Sequence, residues 1–281
     1  MCQLTKKALI TGVTGSLGRT LCKRLINQKG HRIYGIYNSE EKYAHMKRNL
    51  NMENIKCIKC NIANNEFSEE INFLLSKFNI DYVIHSAAMK HVDICEDNPA
   101  EAVKTNVLAS EKLVKNCLLH NIKNLIALST DKTISPCNIY GYSKLMMQNI
   151  VLRNGYSVYQ GANFIGSDGS VLKIWLNQMN KKEPLTVTDL NHIRFFNSLD
   201  YVSELIIKNI DIKNKILLPE YVYEVSLKDL LDGFMEFYSY YNYKIIGSDP
   251  MEKEVEDIQD SIKKRIKADK SLVKEWLATN K

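Results

Sequence analysis

Short apolar runs alternate with longer segments of helical period along the first 165 residues of the chain. KKALITG (Lys6–Gly12) is brief, apolar and ends in glycine, as a buried strand does. SLGRTLCKRLINQKG then places Leu17, Leu21, Leu25 and Ile26 at helical spacing, and Gly30 suits a helix C-cap. HRIYGIYN reads as a second strand, SEEKYAHMKRNL as a helix capped by Ser39, NIKCIKCN as a third strand and EFSEEINFLLSKFN as a helix. IDYVIHSAA is a fourth strand. A long helix is predicted from about Glu96 to His120, then a fifth strand in IKNLIALST, a helix in YGYSKLMMQNIVLRNG and a sixth strand in YSVYQGANFIG.

Strict strand–helix alternation implies a parallel sheet covered on both faces. With right-handed crossovers this is an α/β, doubly wound parallel sheet, the Rossmann arrangement. From about Ser167 the alternation stops. PLTVTD reads as a strand and LDYVSELIIKNI and VSLKDLLDGFMEFYSYY as helices. The expected organisation is therefore a dinucleotide-binding domain over 1–165 that carries the reactive residues, and a smaller C-terminal substrate-binding lobe over 166–281.

Composition changes this picture little. The chain has 281 residues, 45% of them hydrophobic, as an ordinary globular protein has. No apolar run reaches the length of a membrane span, and MCQLTKKALITG lacks a signal-peptide layout, so a cytoplasmic protein is expected. The net charge of +6 is scattered and suits an anionic small substrate. The densest basic stretch, SIKKRIKADK, has the period of the polar face of a helix and reads as solvated surface rather than as a nucleic-acid or membrane contact. Seven cysteines are spread along the chain, and only Cys57 and Cys60 are close. No second pair or histidine set follows at zinc spacing, so no metal site is expected and these read as buried thiols at the end of a strand.

TGVTGSLG carries the first chemistry. Gly12, Gly15 and Gly18 fall between the first strand and the first helix, with Thr14, Ser16 and Leu17 among them. In that context Gly12 permits a tight turn, Gly15 lets the backbone approach a pyrophosphate at a helix N-terminus, and Gly18 allows close helix–sheet packing. Dinucleotide sites that take NAD usually place a carboxylate at the end of the second strand. Here Asn38 and Ser39 stand there, and Glu40 and Glu41 come later, in the first turn of a helix. A 2′-phosphate is then not repelled, and Lys47, two turns into that helix, is placed to face it. This favours NADP over NAD. Asn61, followed by Ile62, either contacts the adenine or is a plain turn residue.

HSAAMKHV after the fourth strand, KTNVLAS in the long helix, and Tyr140 four residues before Lys144 complete a recognisable set. With the glycine motif they resemble the extended short-chain dehydrogenase/reductase superfamily. AAMKHVDICEDNPAEAVKTNVLASEKLV and IALSTDKTISPCNIYGYSK further resemble the inverting UDP-N-acetylglucosamine 4,6-dehydratases of pseudaminic acid and related polysaccharide pathways. The resemblance is dense to about Gln148 and returns at NFIGSDGSV and in IRFFNSLDYVSELI. It implies Ala87, Ala88, Lys90 and Asn106 beside the cofactor, and Asn163 and Arg194 at a UDP-sugar substrate. It also implies a homo-oligomer, dimer or hexamer. Two departures stand out. The Lys144–Asn163 interval is shorter than the family's. IIGSDPMEKEVED carries Asp249 and Met251 where family members have an Arg and a Gly.

The residue types fit that chemistry. Tyr140 is the base for a sugar hydroxyl, and a phenol working at neutral pH must fall about 3 units from its usual 10. Lys144, one helical turn on, supplies a cation on the same face and also reaches the nicotinamide ribose; Thr130 places a hydroxyl beside the Tyr. Oxidation or 4-epimerisation asks for no more than this. Loss of water needs a further base for the C5 proton and an acid for the C6 hydroxyl. By analogy with the family, the adjacent Lys132 and Asp131 take those two roles; otherwise they cap the loop. Lys90 and His91 either line the sugar pocket or are structural. The leading expectation is a UDP-N-acetylglucosamine 4,6-dehydratase. The alternatives are a 4-epimerase or reductase of the same superfamily, and a non-catalytic NADP-binding regulatory protein.

Overall fold

The computed structural model describes residues 6–28, 30–248, 250–259, 261–262 and 264–279, so Asp249 lies outside the described residues. In chain order the elements are β1 (Lys6–Thr11), α1 (Ser16–Asn27), β2 (His31–Tyr37), α2 (Glu40–Asn49), β3 (Ile55–Lys59), α3 (Phe67–Phe78) and β4 (Tyr82–His85). Then come α4 (Val92–Asp97), α5 (Pro99–Ala102), a π-turn (Val103–Leu108), α6 (Ala109–Leu119), β5 (Asn124–Leu128), a 3-10 turn (Asp131–Thr133), α7 (Ile139–Arg153) and β6 (Ser157–Tyr159). The remainder is β7 (Asn163–Phe164), α8 (Val171–Asn180), β8 (Leu185–Val187), β9 (Ile193–Asn197), α9 (Leu199–Lys208), β10 (Ile216–Leu217), β11 (Tyr221–Ser226), α10 (Leu227–Tyr238), β12 (Tyr243–Ile245), β13 (Lys264–Lys267) and α11 (Lys270–Thr279).

Two compact units form. One holds the described residues of Met1–Gln160 with Val202–Leu217, the other Gly161–Tyr201 and the described residues of Leu218–Lys281. The sequence reading sets a boundary after residue 165 and assigns all of 166–281 to the second lobe. In the structure 202–217 belong with the first unit, because β10 pairs in parallel with β6.

The first unit is a seven-stranded sheet in the order β10-β6-β5-β4-β1-β2-β3, with parallel pairing throughout. The chain winds outward from β1 to β3, then returns to β4 on the other side. The carboxyl ends of β1 and β4 therefore flank the topological switch point, where this architecture binds ligands. All four residues of β4 are buried. Phe67, Ile71 and Leu74 of α3 and Leu113 and Cys117 of α6 pack with Leu9, Val83 and Leu125 of the strands. Such two-sided burial is why these strands read as apolar runs.

The expected long helix is interrupted. Asn98 leaves helical geometry at φ −132° and ψ 59°, and Pro99 opens α5, lacking the N–H that would continue the helix before it. The π-turn follows, with Asn106 within it and 1% exposed. Single π-turns inside helices recur at functional sites.

The predicted sixth strand also divides. β6 stays in the parallel sheet, whereas β7 pairs with β9 in the second unit. That unit holds a four-stranded sheet, β13-β11-β9-β7, and a two-stranded sheet, β12-β8. Trp175, Phe234, Phe196 and Trp276 fill its core. The basic stretch expected on a helix instead contains a strand: β13 runs parallel to β11, with Lys264 opposite Tyr221 and Lys267 opposite Glu224. Strand pairing overrides the helical period here, and exposed lysines suit an edge strand because they discourage further pairing.

Candidate active site

The glycine loop is shaped by contacts no larger residue would allow. Gly12 has φ +67°, and a Cβ there would lie 2.8 Å from the Ala87 nitrogen. A Cβ on Gly18 would lie 2.4 Å from the Gly12 carbonyl oxygen. Gly15 occupies the N-cap of α1, where no side chain caps the helix. Thr14 accepts from Arg19 through its carbonyl at 2.6 Å, and Leu17 is buried. Gly15 at the cap leaves the backbone approachable over the start of α1, which begins at Ser16. This cradle fits a dinucleotide's pyrophosphate, which the first-turn N–H groups and the helix dipole favour.

At the next strand ends the outcome is mixed. Val13 N–H donates to the Ile36 carbonyl at 3.1 Å, tying the glycine loop to the end of β2. Asn38 is exposed, and Ser39 caps α2 by accepting from the Lys42 N–H at 3.3 Å. Lys47 lies 5.3 Å from the ring centroid of Tyr43, which in turn stacks on Tyr37 at 4.1 Å. Asn61 accepts from the Ala63 N–H at 3.1 Å, making its own turn, and Ile62 is buried in the core. Cys57 and Cys60 are free, half-buried thiols, and burial pushes Cys57 up to about 12.

After β4 the loop is held from below. His85 Nδ1 bonds the Thr11 hydroxyl at 2.6 Å and its Nε2 the Ser110 hydroxyl at 2.9 Å. Burial, then the Lys144 charge, pushes His85 down to about 3. Ala87 N–H donates to Thr11 Oγ1 at 3.3 Å, and Ala88 follows it, half-buried. Asn106 accepts from Met89 N–H at 2.9 Å and donates to Met89 carbonyl at 3.0 Å and to Ser143 Oγ at 3.0 Å. Lys90 and His91 are exposed; His91 precedes α4, and its imidazole is held below its ordinary value by desolvation and by the Lys90 charge.

The reactive groups gather at the end of β5. Lys144 is 4% exposed and its Nζ donates to the Leu128 carbonyl. Burial pushes this amine down to about 7. Thr130 Oγ1 donates to Asp131 Oδ1 at 2.9 Å, and Lys132 Nζ lies 3.3 Å from the same oxygen. Thr130 is also hydrogen-bonded to the Tyr140 phenol. Burial pushes Tyr140 up to about 12, against the Lys132 charge and the Thr130 bond, which lower it. Of the causes that lower this phenol, the Lys132 charge is the largest.

Several positioning groups escape a sequence reading. A Cβ on Gly141 would lie 2.4 Å from the Lys132 carbonyl oxygen, so glycine alone lets the 3-10 turn pack on α7. Asn138 caps α7 through Gly141 N–H at 2.8 Å, and Glu96 accepts from Ile139 N–H at 2.5 Å. Ser143 donates to the Tyr140 carbonyl at 2.9 Å. An Asn two residues before a Tyr-Gly step was the available signal for the cap. The remaining expected residues lie in the second unit. Asn163 donates to the Phe195 carbonyl at 3.1 Å. Arg194 is 7% exposed, and its NH2 group meets Glu252 Oε1 at 2.6 Å and His192 Nδ1 at 3.0 Å. Its Nε lies 3.8 Å from Glu256. The guanidinium expected at the substrate is engaged by carboxylates of its own unit.

The model of a family described as "Polysaccharide biosynthesis protein" matches residues 8–275. An uncharacterised membrane protein of Methanocaldococcus jannaschii is 31% identical over 273 residues, covering 90% of this chain and 80% of that one. No helix among the residues described here is long and apolar enough to cross a membrane. The inverting UDP-N-acetylglucosamine 4,6-dehydratase of Campylobacter jejuni is 31% identical over 255 residues, covering 86% of this chain and 74% of that one. The X-ray structure of Pen from Bacillus thuringiensis superposes with a TM-score of 0.87 at 26% identity, covering 99% of this chain and all of that one.

The buried amine makes a testable stability signature. Lys144 is held at about 7 in the folded chain against 10.5 in a free side chain. Between those values the unfolded state binds the extra proton, so stability rises with pH across that window and is flat for this group below it. Urea unfolding of ligand-free protein at pH 7, 8.5 and 10 is expected to show that rise. Lys144→Met should remove it, gaining a few kcal/mol at pH 7 relative to wild type and little at pH 10. Equal pH slopes in the two proteins would mean that Lys144 is charged in the folded state.

Proposed function

The chain belongs to the polysaccharide biosynthesis protein family, within the extended short-chain dehydrogenase/reductases that act on sugar nucleotides, and from that premise we propose that it is a 4,6-dehydratase of UDP-N-acetylglucosamine using NADP and inverting C5. The observation that carries this reading is the Asp131–Lys132 pair beside Thr130 and Tyr140, with Lys132 Nζ 3.3 Å from Asp131 Oδ1. An epimerase or reductase has no step that uses a second acid and base.

A nicotinamide bound there would supply the hydride acceptor for C4 and the hydride donor for C6. The chain's own groups handle the protons. Tyr140, ionised, takes the C4 hydroxyl proton, and the Thr130 hydroxyl stabilises its phenolate. Once C4 is a ketone, the C5 proton is acidic and Lys132 removes it as a neutral amine. Asp131, as the acid, protonates the C6 oxygen, and water leaves. Tyr140, protonated at C4, holds the proton that returns to C5 on the opposite face and inverts that centre, and the Lys132 ammonium gives its own proton to Asp131. Lys144, which donates to the Leu128 carbonyl, would reach the cofactor ribose.

Two variants test the assignment. Tyr140→Phe keeps the packed ring and loses only the ionisable oxygen, so turnover should fall at least about 100-fold while nucleotide still binds. Lys132→Ala should leave C4 oxidation possible but strand it. Reduced nicotinamide absorbance should then rise to at most about one equivalent per site, and solvent deuterium should not enter C5. If Lys132→Ala releases 4-keto-6-deoxy product near the normal rate, the pair is structural and the dehydratase reading fails.

The close approach at Gly141 gives a third. Gly141→Ala forces the 131–133 turn and α7 apart, because the new methyl meets the Lys132 carbonyl. Displacement of this order should lower turnover by about 100-fold. Stability should fall by about 1–3 kcal/mol, as for other overpacked sites. Kinetics and thermal melts of one preparation check both.

A further inference from the structure

The end of β2 is where this architecture places the adenosine ribose, and two charges converge there. β3 lies beside β2 with Tyr37 opposite Lys59, so Lys59 ends its strand next to the last residue of β2. Cys60 N–H donates to the Tyr37 carbonyl at 2.8 Å, keeping the two ends together. Glu40, the first residue of α2, meets the Lys59 ammonium in a direct ion pair. Both groups are exposed, with side-chain accessibilities of 52% for Lys59 and 74% for Glu40, so an incoming nucleotide can reach either. The glycine loop adjoins this corner: Val13 bonds Ile36, and a Cβ on Gly35 would lie 2.7 Å from Val13 Cγ1.

The ion pair does not include Lys47. Lys47 is seven residues beyond Glu40, about 10 Å along the helix axis at 1.5 Å per residue. Its ammonium rests on the Tyr43 ring.

We infer that Lys59 decides between a 2′-hydroxyl and a 2′-phosphate on the bound dinucleotide, by neutralising Glu40 and by offering its ammonium to the phosphate. Glu40 alone would favour a ribose hydroxyl and repel a phosphate, the usual action of an acid near this strand end. Paired with Lys59 it loses that action. The pair is solvent-exposed and hence weak, so a dianionic phosphate competes for the ammonium at little cost. Each partner already shifts the other in the sense of an ion pair: Glu40 is held below its ordinary range, and Lys59 above its own, first by their hydrogen bond and then by charge. This rests on the dinucleotide-binding reading of the first unit and not on the dehydratase reaction.

The test is calorimetric titration of the full chain, stripped of nucleotide, with NADP and with NAD. Lys59→Met should lower the NADP-to-NAD affinity ratio about tenfold, by removing one charged hydrogen bond and exposing Glu40. Glu40→Gln should move the ratio the other way, by about threefold, because Lys59 is released. Lys47→Met should leave the ratio unchanged. A ratio that Lys47→Met moves and Lys59→Met does not would overturn the assignment, as would equal ratios in wild type, Lys59→Met and Glu40→Gln. If wild type binds neither nucleotide, the dinucleotide reading falls together with this one. Binding with an insensitive ratio sinks only the role of Lys59.

Discussion

A single buried amide, Asn106, fixes the reactive end of the first unit. It satisfies both backbone groups of Met89 and reaches Ser143, whose hydroxyl is bonded to the Tyr140 carbonyl. The Asn106 carbonyl in turn accepts from Ser110, and Ser110 is bonded to His85 and through it to Thr11. One chain of polar bonds thus joins the ends of β1 and β4, the π-turn and the start of α7. The side chains of Thr11, His85, Asn106, Ser110 and Ser143 are buried, so breaking one of these bonds leaves a group that water cannot reach, at about 1–3 kcal/mol. The π-turn belongs to the same constraint. It holds Asn106, 1% exposed, where the amide meets both Met89 and Ser143.

Loss of water around this frame sets the electrostatics. It penalises whichever form of a group is charged, which raises a phenol and lowers an amine. Tyr140 goes up to about 12 and Lys144 down to about 7 for this one reason. Without ligand the phenol is therefore held protonated. In the ligand-free chain the Lys132 charge lowers it and the Asp131 charge raises it. A cationic nicotinamide bound there would lower it further, also once Lys132 is neutral, and would couple ionisation of Tyr140 to occupancy of the site.

Most of the first unit could be read from the sequence because its rules are local. Buried parallel strands appear as apolar runs, and the glycine triplet and the Tyr140–Lys144 spacing each follow from one turn of backbone. What could not be read depends on distant partners. The strand at Lys264–Lys267 exists because Tyr221–Glu224 pairs with it, whatever its own period. Gly141 looks like any glycine until the Lys132 carbonyl is known to lie against it. Arg194 reads as an open cation, but Glu252, Glu256 and His192 surround it. His192 Nδ1 faces a guanidinium that can only donate, so that nitrogen accepts and the ring carries its proton on Nε2, toward Ser248 at 3.1 Å. The segment in which the expected Arg and Gly are replaced thus contributes Glu252 and Glu256 to Arg194. The reading of Lys47 as the group that faces a 2′-phosphate looks only along its own helix, and the Glu40–Lys59 pair joins that helix to the neighbouring strand.

The Asp131–Lys132 contact raises a question of protonation, since elimination asks the amine to be a base and the carboxyl to be an acid. An ion pair and a neutral pair hold the same number of protons and differ only in where one of them sits. Across 3.3 Å that proton needs little movement, and burial of Asp131, 4% exposed, disfavours the separated charges. The neutral arrangement supplies both required forms at once. In the proposed reaction Lys132 takes the C5 proton and Asp131 gives one to the C6 oxygen, so the pair ends as an ammonium and a carboxylate. Tyr140 takes a proton at C4 and gives one at C5. Transfer of one proton from Lys132 to Asp131 across the same contact restores the starting state without a charged group of the site having to meet bulk water.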